Sequence, residues 1–170
     1  MKMSAILLSG LLLLGSLAST TATATEQSTL QKCGEAKLTV LFWDVYESTL
    51  FTPNGSYNPD TRPFRLDIRY LRDISASDLV KQTAKEWRAQ GLADPEQEAW
   101  LQKLGEIWPD VATGDTLALL VDENSYSQFT MNGVEIGRID NPSFSDAFAG
   151  IWLSESSTRP TLRNALIGAR

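Results

Sequence analysis

Histidine is absent from this chain of 170 residues, and cysteine occurs only once. Without histidine, the chain has no Ser-His-Asp or Cys-His catalytic unit and no metal site built on imidazole ligands. The single cysteine, Cys33, excludes an internal disulfide framework, so packing alone must stabilise the fold. Most familiar hydrolases and the small disulfide-bonded domains are therefore excluded, and we predict no metal site.

Positive charge is also scarce: 15 Lys and Arg residues face 21 Asp and Glu residues, and the formal net charge is −6. An acidic chain without a basic patch is poorly suited to bind nucleic acid or an anionic lipid surface. No glycine-rich loop leads into a helix in the pattern that cradles phosphate. We predict no nucleic-acid partner and no cofactor.

The N-terminal segment has the pattern of a secretory signal peptide. Lys2 gives a short positive start, residues 5–18 form an apolar run, and Ala22-Thr23-Ala24 is a small-x-small cleavage site. The run is shorter than the roughly 20 residues that span a bilayer, so an uncleaved anchor is the weaker alternative. We predict a signal peptide at residues 1–24 and one exported domain at residues 25–170, with no membrane span after cleavage. In a Gram-negative bacterium this domain would be periplasmic.

Strands and helices are predicted in separate groups along the chain. Strands are expected at 37–49, 64–72, 117–121, 126–131 and 134–139, and helices at 75–91, from 94 onward, from 141 onward and within 157–168. Ser75 and Asp78 have capping-box spacing, and Asn132-Gly133 is typical of a type I′ hairpin turn. This order indicates an α+β fold, an antiparallel sheet layered with helices.

The stretch LFWDVYESTLF, residues 41–51, is unusual for a strand that faces water on one side. In a single strand, Leu41, Trp43 and Val45 share one face, while Phe42 and Tyr46 lie on the other with Asp44. Both faces are then apolar. We therefore expect something other than the protein's own helices, such as a ligand, to cover part of this strand.

Aromatic residues supply the candidate walls of a binding site. The chain has five tryptophans, each of which is more often a core residue than a ligand contact. If the helices with Trp87 and Trp152 flank the strand with Trp43, a long apolar ligand would fit among them. Asp44 lies among these aromatics, and a hydrogen-bonded structural role, for example with Tyr46 or Lys37, is favoured over catalysis.

The order of several segments resembles the chalcone isomerase-like family. LTVLFWDVYESTLF resembles a family strand, EWRAQGL resembles the end of a family helix, and the stretch from GDTLALLV through FTMNGVEIGRID and FSDAFAGIWLSE to RPTLRNALIG is similar to the closing strands and helices. The resemblance spans roughly residues 34–168. It implies an antiparallel sheet layered with helices, in a family that contains both isomerases and non-catalytic fatty-acid binders.

The chain departs from the residue pattern of the enzymes in that family. There, an Arg near the first strand, a Thr within it, a Tyr–Asn pair on a helix and a later Thr or Ser surround the substrate. Alignment places other residues at the last four positions: Leu41, Ser75, Gln82 and Ala149. No Arg precedes Arg62, and Lys37, the nearest cation, lacks the planar fork of a guanidinium. The resemblance therefore transfers no catalytic residue to this chain.

We predict an exported, non-catalytic bacterial member of this family that binds an apolar or amphipathic small molecule such as a fatty acid. The predicted ligand-binding residues are Lys37, Trp43, Asp44, Tyr46, Trp87, Phe148 and Trp152, with Lys37 placed to meet a carboxylate. Two alternatives stay open. One is an intramolecular lyase or isomerase with a non-standard residue set, and the other is an envelope protein-interaction module.

Overall fold

The structure, a computed structural model, describes residues 30–169. The strands in this range are β1 (Gln31–Val40), β2 (Trp43–Thr52), β3 (Phe64–Tyr70), β4 (Thr116–Val121), β5 (Ser127–Met131) and β6 (Val134–Ile139). The helices are α1 (Ala76–Ala89), α2 (Gln97–Ile107), α3 (Pro142–Leu153) and α4 (Pro160–Leu166). The predicted signal peptide at 1–24 lies outside the described residues.

All six strands belong to one antiparallel sheet whose spatial order follows the chain from β1 to β6. In β3 the even-numbered residues from Phe64 to Tyr70 are buried, and Arg65, Asp67 and Arg69 alternate with them. The buried face carries the core that the helices share, whereas the charged residues lie on the opposite face. The predicted α+β fold, an antiparallel sheet layered with helices, is confirmed.

The first predicted strand is wrong, because residues 37–49 contain a turn. Leu41 and Phe42 join β1 to β2 in an antiparallel hairpin, and β1 begins at Gln31, six residues before the expected start at 37. Leu41 has a φ of 58°, which is uncommon for a bulky side chain. The turn was missed because neither of its two residues is Gly, Asn or Asp.

Because of this hairpin, the apolar residues at 41–43 lie at an exposed turn instead of within one continuous strand. Leu41, Phe42 and Trp43 lie at the tip and are 85%, 94% and 68% exposed. Further along, Leu38 pairs with Tyr46 and Thr39 with Asp44, which leaves Val45 as the extra residue of a β-bulge. The expected two-faced apolar strand is therefore an exposed tip followed by a bulge.

Several local predictions are confirmed. The Ser75 side chain accepts a hydrogen bond from the Asp78 backbone N–H at the start of α1. The helix expected from 141 is α3, and the Asn141 side chain accepts from the N–H of Phe144 at its start. Asn132 and Gly133 have φ values of 52° and 82°, as a type I′ turn requires, and they join β5 to β6.

A row of aromatic side chains on α3 forms the centre of the core. Phe144, Phe148 and Trp152 are spaced four residues apart, so they lie on one side of the helix. The rings of Phe144 and Phe148 are stacked with centroids 5.6 Å apart, and those of Phe148 and Trp152 are 5.4 Å apart. Phe129 of β5 meets the two phenylalanines edge-on. This row fixes α3 over the middle of the sheet.

Between residues 30 and 169, no helix combines the length and the apolar character needed to cross a bilayer.

Candidate functional site

A cavity of about 350 Å³ lies between the sheet and the helices, beside the β1–β2 hairpin. This volume is in the lower part of the range, about 300–1,000 Å³, in which small-molecule sites fall. Its apolar walls come from the sheet and three helices: Leu38, Val45, Ile68, Leu117, Ile74, Leu79, Phe148, Ile151, Trp152 and Leu162. The end of the aromatic row, with Trp108 beside it, closes one side.

The β-bulge in β2 explains why this end of the hairpin lines the cavity. Val45 and Tyr46 are consecutive, and in a regular strand they would point to opposite faces of the sheet. Because Val45 is the extra residue of the bulge, both side chains line the cavity and both are partly buried.

The mouth of the cavity lies between the hairpin and α1. Asp78, Gln82 and Lys85 are exposed residues of α1, spaced at helical intervals, and all three border the cavity. Val40, next to the exposed hairpin tip, borders it from the opposite side and is 42% exposed. This side of the cavity has a polar helix edge on one side and an apolar tip on the other.

Two tyrosines present hydroxyl groups to the cavity from neighbouring strands. Tyr46 and Tyr70 are direct cross-strand partners in β2 and β3, and their ring centroids are 6.3 Å apart. The Tyr46 hydroxyl accepts a hydrogen bond from Nε1 of Trp152 at 3.0 Å. Neither hydroxyl donates a hydrogen bond to another group of residues 30–169, and the Tyr70 oxygen keeps some accessible surface; the buried donor without a partner at the cavity is Nε1 of Trp108.

Burial extends the pH range over which both phenols stay protonated. It raises the pKa of Tyr46 from 10.0 to about 12, against a smaller opposing effect of the hydrogen bond from Trp152. Burial raises the pKa of Tyr70 as well, and Tyr46 adds to that shift. At neutral pH the two side chains are therefore uncharged donors that face the cavity.

A second carboxylate of α1, more buried than Asp78, also borders the cavity. Glu86 is 9% exposed; its Oε1 accepts from Gln82 at 2.8 Å and its Oε2 from Thr158 at 2.6 Å. Arg159 approaches Oε1 at 3.9 Å and borders the cavity on the side of α4. Because these neighbours supply donors to both oxygens, Glu86 is satisfied as a buried carboxylate without a ligand.

The seven predicted ligand-binding residues are not all at this cavity. Tyr46, Phe148 and Trp152 line it together. Trp87 is fully buried in the core, donates Nε1 to the carbonyl of Ala147 at 2.9 Å and does not border the cavity. Trp43 is exposed at the hairpin tip and is also not part of the wall. Their assignment as ligand contacts stays a prediction.

Lys37 and Asp44 form a surface pair at the hairpin. Lys37 Nζ lies 3.1 Å from Asp44 and 3.5 Å from Glu47. Its hydrogen bond to Asp44 is the main cause of a raised Lys37 pKa, while the hydrogen bond from Thr39 is the main cause of a lowered Asp44 pKa. Neither residue borders the cavity; Lys37 lines a more open groove between β1 and α4.

Sequence reasoning missed most of the polar residues at the cavity: Tyr70, Gln82, Thr83, Glu86 and Arg159. A signal existed for two of them. Tyr70 shares the apolar alternation of β3, and Glu86 falls on the buried side of α1 with Leu79 and Thr83. No sequence pattern predicts that Arg159 borders the cavity, because its position depends on the path of the chain into α4.

Within residues 30–169, no three side chains of Asp, Glu or Cys come together in a group that could hold a metal ion.

Comparison with known proteins identifies the family. A family model described as chalcone isomerase-like matches residues 15–168. The chain therefore belongs to the chalcone isomerase-like family. An uncharacterized protein of Haemophilus influenzae (strain Rd) is 29% identical over 139 residues, which covers 81% of this chain and 68% of that protein.

A solved structure shares the fold. The crystal structure of a fatty-acid binding protein of Arabidopsis thaliana superposes with a TM-score of 0.65 and 11% sequence identity, over 82% of this chain and 87% of that one. At this level of sequence identity, the similarity shows that the two proteins share a fold and shows nothing further.

The two tyrosines should differ in what they contribute to stability. Tyr46→Phe leaves the N–H of Trp152 without its acceptor, so we expect a loss of about 1 kcal/mol or more in the free energy of unfolding. Tyr70→Phe removes a hydroxyl without a protein partner, so we expect a change within about 0.5 kcal/mol. Urea denaturation of both variants measures this, and equal losses would contradict the hydrogen-bond assignment.

Alkaline pH should destabilise the fold through these phenols. Their pKa values are raised in the folded state, so their contribution is complete below the ordinary tyrosine value of 10.0 and is lost as pH rises through about 12. We expect Tyr70→Phe to lose less stability than the wild type over this interval. Unfolding free energies measured from neutral to alkaline pH test the expectation, and parallel curves for the two proteins would count against it.

Proposed function

We propose that this protein binds an apolar or amphipathic small molecule, such as a fatty acid, in the cavity beside the β1–β2 hairpin. The cavity is the observation that carries the proposal. Its walls are mainly aliphatic and aromatic, a few polar groups face inward, and its volume suits a single acyl chain better than a large lipid. The solved fold neighbour is itself named a fatty-acid binding protein, which supports the same class of ligand.

The cation that serves this ligand differs from the one first predicted. Lys37 is engaged with Asp44 and Glu47 and does not border the cavity. Arg159 does border it, and its distance of 3.9 Å from Glu86 leaves its guanidinium loosely engaged. We propose that Arg159, rather than Lys37, faces a ligand carboxylate.

The cavity also bears on the two alternatives. The first alternative is an enzyme with a non-standard residue set, for which Lys37 and Asp44 are the candidate residues. These two residues form an ion pair with each other and do not border the cavity. An interaction module requires an exposed apolar patch without a cavity. The patch is present at residues 40–43, but the cavity opens directly beside it. Binding of a small molecule accounts for both features, whereas an interaction module leaves the cavity unexplained.

Titration with fatty acids of increasing length tests the proposal. Trp108 and Trp152 line the cavity, so their fluorescence reports its occupancy. We expect saturable binding of lauric acid and weaker binding of much longer chains, because the cavity volume is limited. Ile151→Trp fills the cavity from α3 and should weaken binding by roughly tenfold or more.

Ile136→Trp is the matched control. It introduces the same side chain at a partly buried position of β6 that does not border the cavity. We expect this variant to bind lauric acid as the wild type does. Absence of saturable binding to the wild type, together with no lipid in mass spectra of the purified protein, would refute the proposed function.

We also propose that the protein is exported and, in a Gram-negative bacterium, periplasmic. The apolar run at 5–18 and the cleavage site at 22–24 support this. Mass spectrometry of the protein made in its own host should show an N-terminus near residue 25. An intact N-terminus in a soluble cell fraction would contradict export.

A further inference from the structure

We propose that the hairpin tip, formed by Leu41, Phe42 and Trp43, docks into the headgroup layer of a zwitterionic lipid bilayer and brings the cavity mouth to the membrane surface. The partner of this tip is therefore a lipid surface. The docking itself goes beyond the proposed function, and only its use in taking up a ligand rests on that function.

The tip is a continuous apolar surface that the fold leaves in water. All three of its residues are exposed, and Val40 directly before them is exposed as well. Between residues 30 and 169, the other exposed large apolar side chain is Val134, in the hairpin at the opposite edge of the sheet. Leucine and phenylalanine gain free energy on leaving water, and tryptophan favours the boundary between headgroups and acyl chains. The tip therefore has the composition of an interfacial anchor.

The backbone at Leu41 shows that this side chain does not serve the turn. Its φ of 58° lies in the left-handed region, which favours glycine or asparagine. Leucine there costs the turn some free energy, and at 85% exposure it gains no core packing to offset that cost. Neither turn geometry nor packing within the chain accounts for the residue. The Leu41 side chain is thus free to gain free energy from a partner outside the chain.

The charges behind the tip are balanced. Lys37 lies 3.1 Å from Asp44 and 3.5 Å from Glu47, and Glu47 in turn lies 3.5 Å from Arg69. These four side chains form a neutral cluster, although the net charge of the chain is −6. A neutral cluster on an acidic protein is not attracted to an anionic surface. Zwitterionic headgroups carry charges of both signs and no net charge, so they complement this cluster.

The position of the cavity mouth favours a lipid surface over a protein partner. Val40 is next to the tip and borders the cavity, and α1 supplies the opposite border with Asp78, Gln82 and Lys85. A protein groove that enclosed the tip would also cover Val40 and the mouth. A lipid layer takes up a projecting apolar tip without a preformed groove, and apolar and amphipathic molecules concentrate in it. Docking would therefore place the mouth against the source of the ligand.

Co-sedimentation with phosphatidylcholine vesicles tests the docking. Wild type and variants are made in the same host, so that they share one N-terminus. We expect the wild type to bind these vesicles, and Phe42→Ser combined with Trp43→Ser to lower the partition coefficient by roughly tenfold or more. Vesicles that also contain phosphatidylglycerol should bind no more protein, because the chain is acidic. Stronger binding to the anionic vesicles would overturn the assignment of a zwitterionic surface.

Leu41→Asn separates docking from the stability of the turn. Asparagine tolerates a positive φ better than leucine, so the temperature of thermal unfolding should stay the same or rise. Vesicle binding should nevertheless weaken by roughly threefold. If unfolding temperature and binding fall together, the side chain has a structural role and the argument from Leu41 is wrong.

The fluorescence of Trp43 reports docking directly. It is the exposed tryptophan of the chain, whereas the others are buried: Trp87, Trp100, Trp108 and Trp152. With phosphatidylcholine vesicles, the emission of the wild type should shift to shorter wavelength, and brominated phosphatidylcholine should quench it. Trp43→Phe should remove both responses while the protein still binds. Responses that persist in this variant would contradict insertion of the tip.

Val134→Ser is the matched control, because Val134 and Trp43 are both 68% exposed. This variant should bind vesicles as the wild type does. An equal loss in Val134→Ser and in the tip variant would indicate general adsorption and refute the docking. A concentration-dependent dimer that the tip variant abolishes, without any vesicle binding, would assign the tip to a second copy of the chain and refute it as well.

Lauric acid binding in solution distinguishes the docking from the proposed function. The tip residues do not border the cavity, so the tip variant should bind lauric acid as the wild type does. If the wild type binds lauric acid but no vesicles, the docking is refuted and the proposed function stands. If it binds vesicles but no lauric acid, the docking stands and the proposed function fails.

Discussion

The packing of one side of α3 against the sheet is the constraint on which the rest of the structure depends. Phe144, Phe148 and Trp152 form a continuous aromatic row, and β5 contributes Phe129 to it. Rings of this size bury more area than aliphatic side chains and prefer a few mutual geometries, so they fix both the distance and the direction of the helix. The cavity begins where this row ends, at Trp152.

Beyond that point the sheet is covered by α1 and the start of α4, which do not fill the space between them and the hairpin. The bulge at Val45 directs two consecutive side chains toward this space, so both form part of its wall. Glu86 can border this apolar space because its carboxylate oxygens accept hydrogen bonds from Gln82 and Thr158. An incompletely filled but largely apolar space is the physical basis of the binding that we propose.

The fold of this chain does not by itself specify its chemistry. Its backbone follows that of a fatty-acid binding protein at 11% identity, and its family is named for an isomerase. The positions aligned with the catalytic set of the enzymes hold Leu41, Ser75, Gln82 and Ala149. Leu41 lies in the exposed turn between β1 and β2 and does not border the cavity. We therefore expect the side chains that line the cavity, rather than the fold, to determine what this protein does.

The amino-acid sequence predicted the fold class, the cap at Ser75, the start of a helix at 141, the turn at Asn132-Gly133 and the buried alternation of β3, because each depends on residues close in the chain. It also identified Tyr46, Phe148 and Trp152, which the fold brings to one cavity. Only the tertiary structure decided that Trp43 is exposed, that Trp87 is core, and that Tyr70 and Arg159 face the cavity. The physical reason is that strand pairing and helix docking join residues distant in sequence, and a bulge of one residue reverses which face a side chain occupies.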